Sequence, residues 1–333
     1  MNNPDLNFGW GDTDGIREIM LDRYSKDVPS KPTMGSDIFN LDQGYPAHEG
    51  SPELISLVRN LVKKLTNKEY KHILITNGAT NGLCAALSAL SPEEIYINDR
   101  YFSFYPGITK QFAKKVYSIP LKSSIITPHP KAVAVVDSPS NPRGELFIEL
   151  ETASNSKMDV VWDAAYWSPA YLKSLYITPV PEHKIMVGSL SKLTGINGIR
   201  LGWIAVDDDS DYEKALDYVT HNLCGVSALS QELAISILKH VNLDHFFSDS
   251  SSLIDDNKDE FSKVAALFGN QKIPDLGMFL YWTVDAELLK KIKDAGIIFT
   301  SGSFIGGSEN EVRINLSRKR HLTKNLVDLL KKI

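Results

Sequence analysis

Cysteine is nearly missing from this sequence: among 333 residues only Cys84 and Cys224 occur, and they form no C-x-x-C pair. A disulfide framework or a structural zinc centre is therefore not expected, and a reducing compartment, the cytoplasm, is. There is no basic excess either. Lys and Arg number 36 against 41 Asp and Glu, a formal charge of −5 that argues against a nucleic-acid or acidic-membrane partner. No stretch approaches the roughly 18 apolar residues a bilayer-spanning helix requires. The opening MNNPDLNFGWGD lacks the charged-then-apolar pattern of a signal peptide. No internal repeat or low-complexity tract is present, and no G-x-G-x-x-G follows the first strand candidate, which disfavours a dinucleotide-binding protein. The remainder, 43% hydrophobic and 23% charged, is a globular chain long enough for one large or two ordinary domains.

Short apolar runs punctuate the middle of the chain: HILIT (72–76), EIYIN (94–98), AVAVVD (132–137), DVVWD (159–163), KIMVGS (184–189) and WIAVD (203–207). Their continuous rather than alternating apolarity predicts strands covered on both faces. Between them, 79–90 and 103–115 read as helices, so the order predicts an α/β domain with a mostly parallel, doubly wound sheet. A helical stretch over 211–241 links it to a smaller α+β region, preceded by a charged helix over 251–269. The expected division is an N-terminal segment, 1–40, on the small-domain and substrate side, a large domain, 41–220, and a linking helix with the small C-terminal domain, 221–333.

The chemistry-bearing residues fall at the carboxyl ends of these strands, the edge where open α/β sheets bind ligands. After KIMVGS comes Ser191-Lys192 and then Arg200. A lysine at the end of a buried strand loses hydration, so its neutral amine is available to form a Schiff base. Arg200 and Ser189 nearby suit a phosphate, and an imine-forming lysine beside a phosphate site points to pyridoxal phosphate (PLP). Asn77-Gly78-Ala79-Thr80 is a strand-to-helix turn whose amides suit an anion, or an ordinary capped turn. Asn141-Pro142 with Gly144 is either a plain turn or a way of presenting the Asn141 amide. Asp163 at the end of DVVWD is costly unless it meets a cation such as a protonated pyridine nitrogen; otherwise it caps a helix. Tyr166 is a donor to a cofactor oxygen or a core aromatic. Phe102 either stacks on a flat ring or packs in the core. Arg313, inside the apolar EVRINLS, suits a carboxylate ligand or an internal ion pair.

Taken in order, these motifs resemble those of fold-type I PLP enzymes, the aspartate aminotransferase superfamily, and within it the alliinase and tryptophan-aminotransferase-related group. The resemblance is strongest over ITNGATNGLCAALSALSP, DSPSNPRGEL, WDAAYWSPAY and GSLSKLTGINGIRLGWIAVDD. It implies Lys192 as the Schiff-base lysine, Asp163 as pyridinium partner, and Asn141 and Tyr166 as ligands of the cofactor's phenolic oxygen. It implies Gly78, Ala79, Thr80, Ser189 and Arg200 as the phosphate cup and Phe102 as the stacking ring, a position where Tyr or Trp is commoner. Arg313 resembles the binder of the substrate α-carboxylate, with Trp10 and Gly11 on the substrate side. Tyr45 resembles a tyrosine that reaches the phosphate of a neighbouring subunit, in keeping with a homodimer whose sites lie at the interface.

The expected activity is that of an aminotransferase acting on an L-amino acid and a 2-oxo acid, with Trp10, Phe102, Trp167 and Phe304 favouring an aromatic or large apolar side chain. An alliinase-like C–S β-lyase needs the same lysine and is the first alternative. A non-catalytic PLP-binding protein is the second.

Overall fold

Seven strands form the larger sheet: β1 (His72–Thr76), β2 (Glu94–Asn98), β3 (Lys115–Ile119), β4 (Ala132–Asp137), β5 (Asp159–Asp163), β6 (Ile185–Ser189) and β7 (Gly202–Val206), in the order β1-β7-β6-β5-β4-β2-β3. The computed structural model describes residues 3–28, 45–121, 129–147, 158–172, 178–269 and 271–333. Strand β7 runs antiparallel to both neighbours, and the other pairings from β6 to β3 are parallel. The sheet is mixed, mostly parallel, as the sequence predicts.

Its strands are apolar throughout because both faces are covered. Leu74, Val133, Val135, Val161, Val187 and Ile204 pack on one side with Leu83 and Val219; Ile73, Ile75, Trp162, Met186 and Trp203 pack on the other. Side chains alternate faces along a strand, so successive residues enter different cores.

The helices are α1 (Asp14–Ile19), α2 (Pro52–Thr66), α3 (Gly78–Leu90), α4 (Tyr105–Thr109), α5 (Leu190–Thr194), α6 (Asp209–Leu223), α7 (Ala228–His240), α8 (Leu243–Ser262), α9 (Ala286–Asp294) and α10 (Arg320–Leu330). Their starts follow local chemistry. The Ser51 hydroxyl accepts from the Leu54 amide ahead of Pro52, and the Asp208 and Asp285 side chains accept from Asp211 and Leu288 in the same way.

Three expectations need correction. The segment 103–115 holds only the short α4, and the following KVYSI becomes β3, a partly exposed edge strand whose mixed pattern hides it. The stretch 211–241 is two helices, because Cys224 and Gly225 take left-handed backbone with φ of 53° and 93°. Likewise the expected helix at 251–269 is the end of α8 and a separate 3-10 turn at Ala265–Phe268.

The small sheet has β9 (Thr300–Ser301) and β8 (Phe279–Thr283) flanking β10 (Glu311–Asn315), all antiparallel. The N-terminal segment joins it: the Phe8 amide donates to the Ile298 carbonyl at 2.8 Å, and the Phe8 carbonyl accepts from the Asn315 amide at 2.8 Å. The expected boundary at residues 40 and 41 lies outside the described residues. Among the described residues no helix is long and apolar enough to cross a membrane.

Candidate active site

A cavity of about 1030 Å³ opens where the carboxyl ends of β4, β5 and β6 face β9, β10 and the N-terminal segment. Lys192, Asp163, Tyr166, Asn141, Arg313, Ser189, Arg200, Ala79, Thr80, Phe102, Trp10 and Gly11 all line it, although they are spread from residue 10 to residue 313. That convergence is a property of the sheet order.

Lys192 sits on α5, one turn past the end of β6. The approach is tight: a Cβ on Gly188 would lie 2.2 Å from the Trp203 indole. Gly195 closes α5 in the left-handed region with φ 77°. Lys192 Nζ donates to the Gly11 carbonyl at 2.5 Å and to Asn197 Oδ1 at 3.2 Å. Loss of water brings its pKa down to about 8; Arg200 and Arg313 act in the same direction, and Asp12 opposes them.

Asp163 and Asp137 end adjacent strands in direct register. Asp163 Oδ2 accepts from the Tyr105 hydroxyl at 2.7 Å and Oδ1 from the Ala165 amide at 3.0 Å. Burial raises its pKa, which those two donors oppose. The Asp137 carboxyl, pushed up to about 8 chiefly by burial, accepts from the Asn141 amide at 2.7 Å. Asn141 Oδ1 in turn accepts from Arg313 Nη1 at 2.7 Å. Arg313 Nη2 donates to the Gly9 carbonyl at 2.7 Å, and the guanidinium lies 4.4 Å above the Phe279 ring.

At the other end, Gly78 turns with φ 76°, and its α-carbon faces Arg200: a Cβ there would be 2.8 Å from Arg200 Nη2. The first amides of α3 therefore open toward an exposed guanidinium, with Ser189 close by on β6. A helix N-terminus facing a guanidinium is suited to an anion.

Of the remaining expected residues, Phe102 lines the cavity and packs edge-on against Phe104 and Tyr105. Trp10 and Phe304 stand at its rim, 73% and 71% exposed. Gly11 is at its wall, 3.7 Å from Lys192 Nζ and from the Tyr166 hydroxyl measured at a built Cβ. Tyr45 is 88% exposed and does not line the cavity of its own chain. Trp167 is a correction: it is 1% exposed in the core, its indole donating to the Leu65 carbonyl at 2.8 Å, and it does not line the cavity. Asp12, Asn197 and Phe299 line the site without having been given a role in the sequence. Tyr105, not singled out in the sequence, is the partner of Asp163.

Three buried polar atoms here, Asn141 Nδ2, Ser191 Oγ and Arg313 Nε, have no partner among the described residues. Buried polar groups are seldom left unpaired, so this set is arranged for something polar. Together with a carboxylate short of a cation and an anion cup beside a depressed lysine, the donor set fits PLP. The allinase family model matches residues 41–264. The chain belongs to the allinase family. It is a PLP enzyme of fold type I. The chain is 30% identical over 199 residues to tryptophan aminotransferase-related protein 2 of Arabidopsis thaliana, covering 57% of this chain and 44% of that protein. It is 28% identical over 204 residues to the alliin lyase of Allium cepa var. aggregatum, again 57% and 44%. The aligned part thus spans less than half the length of these curated relatives. Its fold is that of a Thermus thermophilus aspartate aminotransferase tetra mutant, with a TM-score of 0.76 at 14% identity over 99% of this chain and 97% of the other.

Proposed function

We propose that this protein is an aminotransferase moving the amino group of an L-amino acid, with an aromatic or large apolar side chain, to a 2-oxo acid. We propose further that it works as a cytoplasmic homodimer. The observation that carries the reading is Arg313, 6% exposed in the wall of the cavity that holds Lys192, with Nε unpartnered and no acidic group beside it among the described residues. A buried guanidinium without an anion is costly, and its fork matches a carboxylate in two parallel hydrogen bonds. The α-carboxylate of an amino acid supplies that anion.

Position in the cavity supports the remaining roles. Arg200, Ser189 and the amides of Ala79 and Thr80, with the turn at Gly78, hold the cofactor phosphate. With the cofactor bound, Asp163 would keep a proton on its pyridine nitrogen, Asn141 and Tyr166 would donate to its ring oxygen, and Phe102 would pack against the ring. When bound, PLP supplies an electron sink for the substrate α-carbon. Lys192 Nζ, near neutrality in its protonation, is the base that takes the α-proton. Gly9 to Asp12 cover the site from the small-domain side and exclude water. Trp10, Phe102, Phe104 and Phe304 give the side chain an apolar surround, while the cavity's three cations, Lys192, Arg200 and Arg313, already have other duties.

The alliin lyases among the relatives favour a second reading, elimination of a sulfur leaving group, which needs the same lysine and carboxylate clamp. Mixing PLP-loaded protein with one amino acid and no 2-oxo acid separates them. Conversion of one equivalent of cofactor to its pyridoxamine form supports the aminotransferase. Sustained release of pyruvate and ammonia from a cysteine sulfoxide overturns it in favour of the lyase.

A further inference from the structure

We infer that Asp12 and Asn197 are a positioning pair for Lys192, through which the N-terminal segment aims the reactive amine. The inference rests on the proposed role of Lys192 and adds two residues that were given no role in the sequence. Asn197 stands in the 3-10 turn Asn197–Ile199, five residues past Lys192. Its Oδ1 accepts from Lys192 Nζ at 3.2 Å, and its Nδ2 donates to Asp12 Oδ1 at 2.8 Å. The same Asp12 oxygen accepts from the Thr13 amide at 2.9 Å, and Arg17 bridges the carboxylate at 3.3 Å. Every polar atom of the amide side chain is thus committed in one direction, so Asn197 cannot flip without breaking both contacts.

The carboxylate is itself anchored. The Asp12 carbonyl accepts from Asn315 Nδ2 at 2.6 Å and from Ser317 Oγ at 3.0 Å, and the Trp10 carbonyl accepts from Asn315 Nδ2 at 2.7 Å. The Thr13 hydroxyl donates to the Gly195 carbonyl at 3.2 Å, where a Cβ on Gly195 would sit 2.4 Å from the Arg17 amide. The strap of residues 9–13 therefore grips β10 and its continuation on one side and the lysine-bearing turn on the other. It also presents the Gly11 carbonyl to Lys192 Nζ. Docking of the strap on the small domain and aiming of the amine are one arrangement.

The groups facing Lys192 are Asp12 from the strap, Arg200 beyond the 3-10 turn, Arg313 from β10 and Tyr166 after β5. Asp12 brings the only negative charge among those that act on the amine. Its removal lowers the amine's pKa, whereas an added negative charge at position 197 raises it.

The test is run first on PLP-free protein. The rate of Lys192 acetylation by acetic anhydride is followed against pH by peptide mass spectrometry. Asp12→Asn, which keeps the backbone contacts, should move the midpoint down by about one pH unit, and Asn197→Asp should move it up by a similar amount. In PLP-loaded protein, Asn197→Ala should cut kcat about tenfold with KM within about twofold, the mark of a misaimed base rather than of lost binding. Midpoints unmoved in both charge variants overturn the pair. If one of these variants fails to fold, the shift or constancy of the other decides. Borohydride reduction of the PLP-loaded parent protein and peptide mapping test the underlying role separately: PLP fixed to another lysine removes that role, while the acetylation midpoints still report on the pair.

Discussion

The Tyr105 hydroxyl donates to Asp163 Oδ2 at 2.7 Å, although the two residues are 58 positions apart and Tyr105 is 1% exposed. Tyr105 opens α4, beyond the end of β2, and Asp163 closes β5, so the contact spans β4, which lies between those strands. The bond holds one carboxylate oxygen in place and, with the Ala165 amide on the other, fixes the plane in which Asp163 presents itself to the cavity.

Tyr105→Phe removes that donor and little volume. Leaving a buried carboxylate oxygen short of its partner should cost about 1–3 kcal/mol of stability, measured by denaturant unfolding of the PLP-free protein. PLP binding should suffer less, because a bound pyridinium compensates the same carboxylate. An unchanged unfolding midpoint would show that water replaces the hydroxyl freely.

Lys192→Ala should lower turnover by at least about a thousandfold, since it removes both nucleophile and base. PLP should still bind through Arg200 and Asp163 but should no longer be fixed by borohydride. Retention of full activity would remove Lys192 from the chemistry.

Arg313→Gln should raise KM for the amino acid by about 10- to 100-fold, the loss of a charge-assisted bidentate contact, while the Kd for PLP changes by less than about threefold. Equal losses in both constants would instead mean that Arg313 holds the small domain in place through Asn141 and Gly9.

Asp137 gives a pH signature. Burial raises its folded pKa to about 8, well above the ordinary carboxylate range, so the native state binds the proton more tightly. Its contribution to stability is therefore full below about pH 4 and is lost as pH rises through 8. In PLP-free protein Asp137→Asn should flatten the fall in unfolding free energy between pH 4 and 8. An unaltered slope in that window would assign the pH dependence to other groups.

Gly78→Ala would place a methyl 2.8 Å from Arg200 Nη2 in a backbone region that L residues avoid. Inorganic phosphate should then bind the PLP-free protein at least about tenfold more weakly, read by its protection of the protein against heat. Equal protection would place the phosphate elsewhere.

Much of the frame is legible in the sequence because a strand buried on both faces must be apolar along its whole length. That condition wrote β1, β2, β4, β5, β6 and β7 as visible runs, and Lys192, Asp163 and Ser189 stand out as polar residues at their ends. Strand β3 escapes the same reading because an edge strand with exposed Lys115 and Ser118 loses the pattern. The break between α6 and α7 is marked in the sequence by Gly225 alone, because Cys224, which shares the left-handed backbone there, carries no turn signal of its own.

Local physics in the chain thus determined the strands, the helix caps and the candidate residues that follow each strand. Tertiary structure alone decided which of them share a cavity. It placed Trp167 in the core, gave Asp163 a tyrosine partner, and set Asp12 against Asn197 across 185 positions. Those contacts arise from the order of strands in the sheet and from the docking of the N-terminal strap on β10. Both are set by the burial of whole surfaces against one another, which no short stretch of residues encodes.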